Sequence, residues 1–321
     1  MKKKTLENLK TLGIVFFSFT FIGSLLNIFN SKKDDVEIKN KNFDFETYES
    51  VAKLSGGQDG AIFDNYLFSF GSYGSCNVHS MDDYSTIATF TLDKSDISSP
   101  HSNSVCFGNE YYSKDDDFPL LYSNIYNNDS SKLGTTNVYR IVKDENNTFT
   151  SELVQVIKIG FTDDSNKWAS GVRPYGNCVV DIDNSDYWAF VMDGATNTTK
   201  FFKFDLPILS DGVYDSTYDC NVVTLEYENI LDQFSTEYFN YVQGACYFDG
   251  RIYSTEGFTN DTTNIPTLRV IDLKEKKVIT TIDLVKSFSL SIEPEFIDVY
   301  KDKLFYKDVN GNLYSFNMIE G

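Results

Sequence analysis

Histidine, proline and paired cysteine are all scarce in this chain. It has two histidines, His79 and His101, and five cysteines with no C-x-x-C pair. That excludes a typical zinc site, which clusters Cys and His. An odd cysteine count spread over 321 residues also excludes a disulfide-dense scaffold. Cys76, Cys106, Cys178, Cys220 and Cys246 therefore read as small core fillers. The chain has no G-x-S-x-G, no H-E-x-x-H and no phosphate-cradling glycine loop, so no familiar catalytic motif is present. Asp115–Asp117 and Asp163–Asp164 lack the glycine and terminal Glu of a calcium loop and read as solvated turns. No metal and no cofactor is expected.

Basic residues are few as well: 28 Lys and Arg against 47 Asp and Glu, a formal net charge of −19. The first 31 residues hold four lysines and one acid, so the remainder is more acidic still. Such a surface repels phosphate backbones, and nucleic acid is not an expected partner.

Aromatic residues are abundant, with 27 Phe and 21 Tyr beside only six Pro. Aromatic and β-branched side chains fit the pleated, half-buried surface of strands. Composition alone therefore leans to an all-β fold.

The N-terminus has its own character. Lys2–Lys4 and Lys10 flank an uncharged run, Leu12–Phe29, near the lower length limit for a bilayer-spanning helix. It lacks good small-residue cleavage positions and is longer than a usual signal core, so a signal anchor is preferred over a cleaved signal peptide. Lysines on the near side place later residues outside the cell. The expected organisation is a basic tail and anchor over residues 1–31, a polar stalk over 32–44 and one folded domain over 45–321. The membrane is touched through the N-terminal segment only, and the domain is expected at the cell surface, or secreted if the segment is cleaved.

The strongest signal is a repeat. A polar residue, an apolar strand, a turn and a second aromatic strand recur in units beginning at Gln58, Asn103, Tyr175, Gln243 and Glu295. Phe248-Asp249-Gly250 and the neighbourhood of Asp302 mark tight hairpin turns. Four short strands with tight loops need about 40–50 residues. Two units exceed that, and the surplus is assigned to surface insertions at 160–171 and 229–240, the latter the one stretch suited to a short helix. The second unit reads as a hairpin with Glu110-Tyr111-Tyr112 in its second strand. The fifth unit supplies three strands, while a spare strand-like run lies upstream near Phe45–Leu54. The prediction is a β-propeller of about five four-stranded blades, closed by that N-terminal strand, with six blades as the alternative.

One blade resembles a known repeat. Arg269–Leu284, RVIDLKEKKVITTIDL, resembles part of the YVTN-type propeller repeat. The resemblance implies a propeller fold and an exterior location, and names no activity.

Aligning the units on their first strand gathers two polar columns. Gln58, Asn103, Tyr175, Gln243 and Glu295 form one; Gly56, His101, Arg173, Tyr241 and Glu293 stand two residues earlier. Positions two apart in extended chain share a face, so both columns are expected at one mouth of the ring. The candidate ligand-binding residues are Gln58, His101, Asn103, Arg173, Tyr175, Gln243, Glu293 and Glu295, with Trp168 as a further stacking face. A third column, Ala61, Cys106, Cys178, Cys246 and Asp298, is expected to pack near the axis. The leading functional reading is a monomeric, surface-displayed propeller that binds a polar small ligand, a glycan or a protein. The alternatives are a secreted glycan-active hydrolase or lyase, for which Asp59, Glu256, Glu293, Glu295 and Asp298 are the available acids, and an interaction module without a pocket.

Overall fold

The structure is a computed structural model describing residues 41–126, 129–132, 134–161, 177–193 and 196–320, with backbone alone at 41–46, 130, 319 and 320. The predicted anchor and most of the stalk lie outside the described residues. The region from Asn40 onward forms one unit.

Five antiparallel sheets follow one another around a ring. Blade I holds β2 (Gly60–Phe63), β3 (Tyr66–Phe70), β4 (Ser75–Ser80) and β5 (Thr86–Thr91). Blade II holds β6 (Val105–Phe107), β7 (Leu121–Asn124), β8 (Thr135–Lys143) and β9 (Phe149–Ile159). Blade III is β10 (Asn177–Asp181), β11 (Asp186–Asp193), β12 (Thr198–Asp205) and β15 (Asp232–Glu237). Blade IV is β16 (Val242–Phe248), β17 (Arg251–Glu256), β18 (Thr267–Asp272) and β19 (Lys277–Asp283). Blade V takes β20 (Pro294–Tyr300), β21 (Lys303–Asp308) and β22 (Asn312–Glu320) from the end of the chain, and β1 (Lys41–Lys53) from its beginning. The fold is a five-bladed β-propeller, and the six-blade alternative falls.

The hairpins form where the sequence supplies left-handed turns. Asp249 and Gly250 both have positive φ, 50° and 73°, as do Lys301 and Asp302, 46° and 62°. Two successive positive φ angles match the twist of the flanking strands.

Alternation along each inner strand then builds the ring. In β10, Cys178 and Val180 pack against blade II while Val179 packs against blade IV. In β16, Ala245 faces blade III and Cys246 faces blade V. In β20, Phe296 meets Leu67 of blade I while Ile297 meets Tyr253 of blade IV. Successive side chains on a strand point to opposite faces, so every blade fills two interfaces at once. The five apolar clusters correspond to the five interfaces. All five cysteines are free and buried, consistent with their reading as fillers.

Two sequence expectations need correction. Glu110–Tyr112 does not form the second strand of blade II; β7 starts at Leu121 after a loop, and Tyr111 and Tyr112 are exposed. The aromatic content imitated a strand there, without an inward partner for alternate residues. The stretch 229–240 is likewise neither helix nor insertion. It contains β15, the outer strand of blade III, where Phe234 stacks on Phe201 at 4.7 Å. Helical geometry nearby is a single turn, Tyr227–Asn229. The extra chain lies earlier, over 206–231. It leaves blade III after β12 and crosses to blade II, where β14 (Cys220–Leu225) pairs in parallel with β9 and β13 (Val213–Asp215) adds an edge. The predicted insertion at 160–171 lies almost wholly outside the described residues.

Closure rests on β1. Tyr48 pairs with Phe316, Ser50 with Tyr314 and Lys53 with Asn312. Tyr48 also donates from its hydroxyl to the Phe288 carbonyl, 3.1 Å away, and Leu54 enters the blade V–I cluster. A chain starting at Gln58 should therefore melt about 10 °C or more below one starting at Asn40, since several kcal/mol of pairing and burial are lost. Equal melting temperatures would disprove closure by this strand.

Candidate functional site

The inner strands β2, β6, β10, β16 and β20 face one another around the axis. Each is the inner edge of its sheet, so its outward peptide groups have no ladder partner. Buried peptide groups must be paired, and side chains from other blades do this. Asp59, fully buried just before β2, accepts through Oδ2 from Val105 N of blade II at 3.0 Å and Ala245 N of blade IV at 3.3 Å. Asp298 accepts from Ile62 N at 2.6 Å, joining blade V to blade I. Ser104 accepts from Cys178 N at 3.2 Å and donates to Cys178 O. Gly244 lies so close that a Cβ there would stand 3.1 Å from both Asp59 Oδ1 and Glu295 O. At this level the axis is packed shut.

Several residues of the predicted polar columns are buried or hydrogen-bonded between blades. Asn103 is buried and donates from Nδ2 to Asn177 Oδ1 at 2.9 Å and to Val242 O at 2.8 Å, linking blades II, III and IV. Gln243 Nε2 donates to Glu293 Oε1 at 2.6 Å, and Glu293 N donates to Thr259 Oγ1 at 2.9 Å. Glu295 is 3% exposed. Gln58 is partly buried, its Nε2 donating to the neighbouring Gly57 O at 2.7 Å. His101 sits above Asn124, to whose carbonyl its backbone N–H donates; burial lowers the ring pKa and keeps it neutral. Tyr241, half-exposed with φ 59°, packs at a tilt against Phe258, ring centroids 4.8 Å apart. Arg173, Tyr175 and Trp168 lie outside the described residues.

Sequence reasoning missed Lys307 and Asn177. Lys307 is completely buried at the end of β21, and its Nζ donates to Gly56 O at 2.8 Å and Gln58 O at 2.9 Å. A lysine directly after the apolar run Leu304–Tyr306 was its visible mark. Asn177 lines a space of about 10 Å³ between blades II and III, room for about one water. Three acids on the sequence shortlist have structural duties, Asp59 across the axis and two others. Glu256 is held by Arg269 at 2.8 Å and receives the Asn240 N–H at 2.5 Å, and Asp298 ties blades V and I. Asp116, in the first acidic turn, pairs with Arg140 at 2.7 Å.

Several buried polar atoms here find no hydrogen-bond partner among the described residues: Gln58 Oε1, Asp59 Oδ1, His101 Nδ1, Asn177 Nδ2 and Glu295 Oε2. They come from blades I, II, III and V. Burial also moves the charges toward neutrality. Glu295 is pushed up to about 9, chiefly by desolvation and next by Glu293. Desolvation draws Lys307 down to about 8 against the pull of Glu295. Asp298 rises to about 7 by burial, and burial raises Asp59 and Glu293 too.

These shifts give stability a pH slope. The folded chain keeps a proton on Glu295 that the unfolded chain releases near 4.5. That stabilisation is complete below the unfolded value and is lost as pH rises through the folded one. Asp298 acts in the same sense between 3.8 and about 7. Lys307 acts oppositely, between about 8 and 10.5. Denaturant midpoints should fall from about pH 5 to about pH 8, and Glu295→Gln should flatten that fall. A variant with the full wild-type slope would remove Glu295 as its source.

No protein-family model matches the chain, and no curated protein matches it. Among solved structures, the glutaminyl cyclase of Myxococcus xanthus is 9% identical with a TM-score of 0.48, the match covering 88% of this chain and 98% of that one. BamB from Moraxella catarrhalis is 8% identical with a TM-score of 0.31, covering 83% and 60%. Neither likeness transfers a residue or a reaction. What the geometry itself establishes is a five-bladed β-propeller whose axis is filled by cross-blade hydrogen bonds.

Proposed function

We propose that this protein is an exported, membrane-anchored propeller that binds a polar organic ligand, such as a glycan or a peptide, at the mouth of its ring. The observation that carries the reading is that buried polar atoms from four blades, at or just before the starts of their inner strands, find no hydrogen-bond partner among the described residues. Burying a polar group without a partner costs roughly 1–3 kcal/mol, and a ligand able both to donate and to accept would offset that. Amides, a hydroxyl and carboxyls with aromatic faces at the rim are the composition of a polar-ligand pocket. The plug gives the pocket a floor.

Export is supported by the lysine-flanked apolar segment Leu12–Phe29. No helix among the described residues is long and apolar enough to cross a membrane, and that segment lies outside them. Protease added to intact cells should reach the propeller; complete protection would contradict an exterior domain.

A second reading, a glycan-active hydrolase or lyase, is favoured by Glu295 staying protonated near neutral pH beside Glu293. That pairing suits acid and base roles.

Screening glycan and peptide arrays should return a ligand. Gln243→Ala should weaken its binding by about 1–3 kcal/mol, the usual effect of leaving a buried polar partner unpaired, with the melting temperature nearly unchanged. Arrays that return no ligand, or a ligand indifferent to Gln243→Ala, would retire the mouth as a binding site.

A further inference from the structure

Charge around the mouth is unevenly distributed. Carboxyls come from blade I (Asp59) and from the segment leading into blade V (Glu293, Glu295), and Asp308 lies beside Lys307. Among the described residues Lys307 is the one cation that acts on Glu295, and its Nζ is already turned to the carbonyls of Gly56 and Gln58. His101 is neutral. An anionic ligand would meet an excess of carboxyls; a cation would relieve it.

The blade IV–V side adds specific parts. Glu293 is fixed in place by Gln243 and Thr259. Glu295 sits two residues further along the same extended segment, more than nine-tenths buried, with Oε2 unpartnered. Tyr241 and Phe258 form a half-exposed aromatic pair one step away in chain on either side of blade IV's inner hairpin, Tyr241 two residues before Gln243 and Phe258 next to Thr259. Carboxyls next to an aromatic face form an attractive site for a positive head group, through ion pairing and cation–π attraction.

We infer that the blade IV–V sector of the mouth receives an organic cation, an ammonium or guanidinium head, with Glu293 and Glu295 as its counter-charges and Tyr241 as its stacking face. This rests on the mouth being a ligand site. Basic peptide side chains and free amines are the ligand class; neutral glycans and anions are not. A cation arriving beside Glu295 favours the ionised carboxylate, so the carboxyl proton leaves to solvent as the ligand's positive charge takes its place.

The test is calorimetry on the full chain with N-acetyl-arginine N-methylamide and its citrulline counterpart, which has nearly the same shape and no charge. The arginine compound should bind at least about tenfold tighter, a difference of about 1.4 kcal/mol. Its apparent enthalpy should shift with buffer ionisation heat, as proton release requires. Glu293→Gln and Tyr241→Ser should each shrink the preference, while both variants keep the wild-type melting temperature. Equal binding of the two compounds, or binding of neither at millimolar concentration, overturns the inference. A neutral glycan that binds in a Gln243-dependent way without any cation preference also overturns it, yet leaves the ligand mouth standing.

Discussion

Five sheets cannot meet at an axis without exposing the inner edge of each, and the treatment of those edges governs the rest of the molecule. Asp59 is the central answer. Its carboxylate reaches across the axis to peptide groups of two blades that are not each other's neighbours, while Asp298 and Ser104 bind adjoining pairs. A charged or polar group in so dry a place is tolerated because it replaces hydrogen bonds that the strands could not make themselves. The same desolvation raises the nearby carboxyls and lowers Lys307. The shifted Glu295 and Lys307 are thus a by-product of closing the ring.

The blades depend on that closure in a second way. Because each inner strand sends alternate side chains to opposite neighbours, no interface can be repacked without disturbing the next. Interiors of this density transmit such changes. The outer strands are freer, and the one large departure from four strands, β13 and β14, occurs there. Blade II could gain a parallel strand without touching the axis. A groove of about 560 Å³ follows between β14 and the turn at 228–231, lined by Phe204, Leu206, Val223 and Leu231.

Much of the architecture was written locally. The Asp249-Gly250 turn, the alternation in Arg269–Asp283 and the spare run at Phe45–Leu54 are short-range patterns, and they give blade number and closure. The errors arose where local pattern lacked its partner. Tyr111 and Tyr112 have strand composition but stay exposed, with Tyr112 lying against the Arg140 guanidinium, and β15 reads as polar until Phe201 is placed opposite Phe234. The site was legible only as aligned columns in the sequence; in the structure Asn103 is tied to Asn177 and Val242, and Gln243 to Glu293. Individual duties were not legible. Asp59 acquires its partners 46 and 186 residues downstream, and Lys307 acquires its acceptors about 250 residues upstream. Such distances in sequence leave no trace in a window of ten residues.

The seam between β1 and β22 also orders events in time. Tyr48 anchors to Phe288, 240 residues later in the chain. At about 5–20 residues per second, that stretch takes on the order of 10–50 s to synthesise. Throughout that interval the first strand of the domain has no partner, and blade V does not exist. Blades I to IV can assemble in order as they emerge, yet their two terminal faces stay apolar and open. For a ring joined in this way, β22, the last strand of the ring to be made, is the one that releases β1 from waiting.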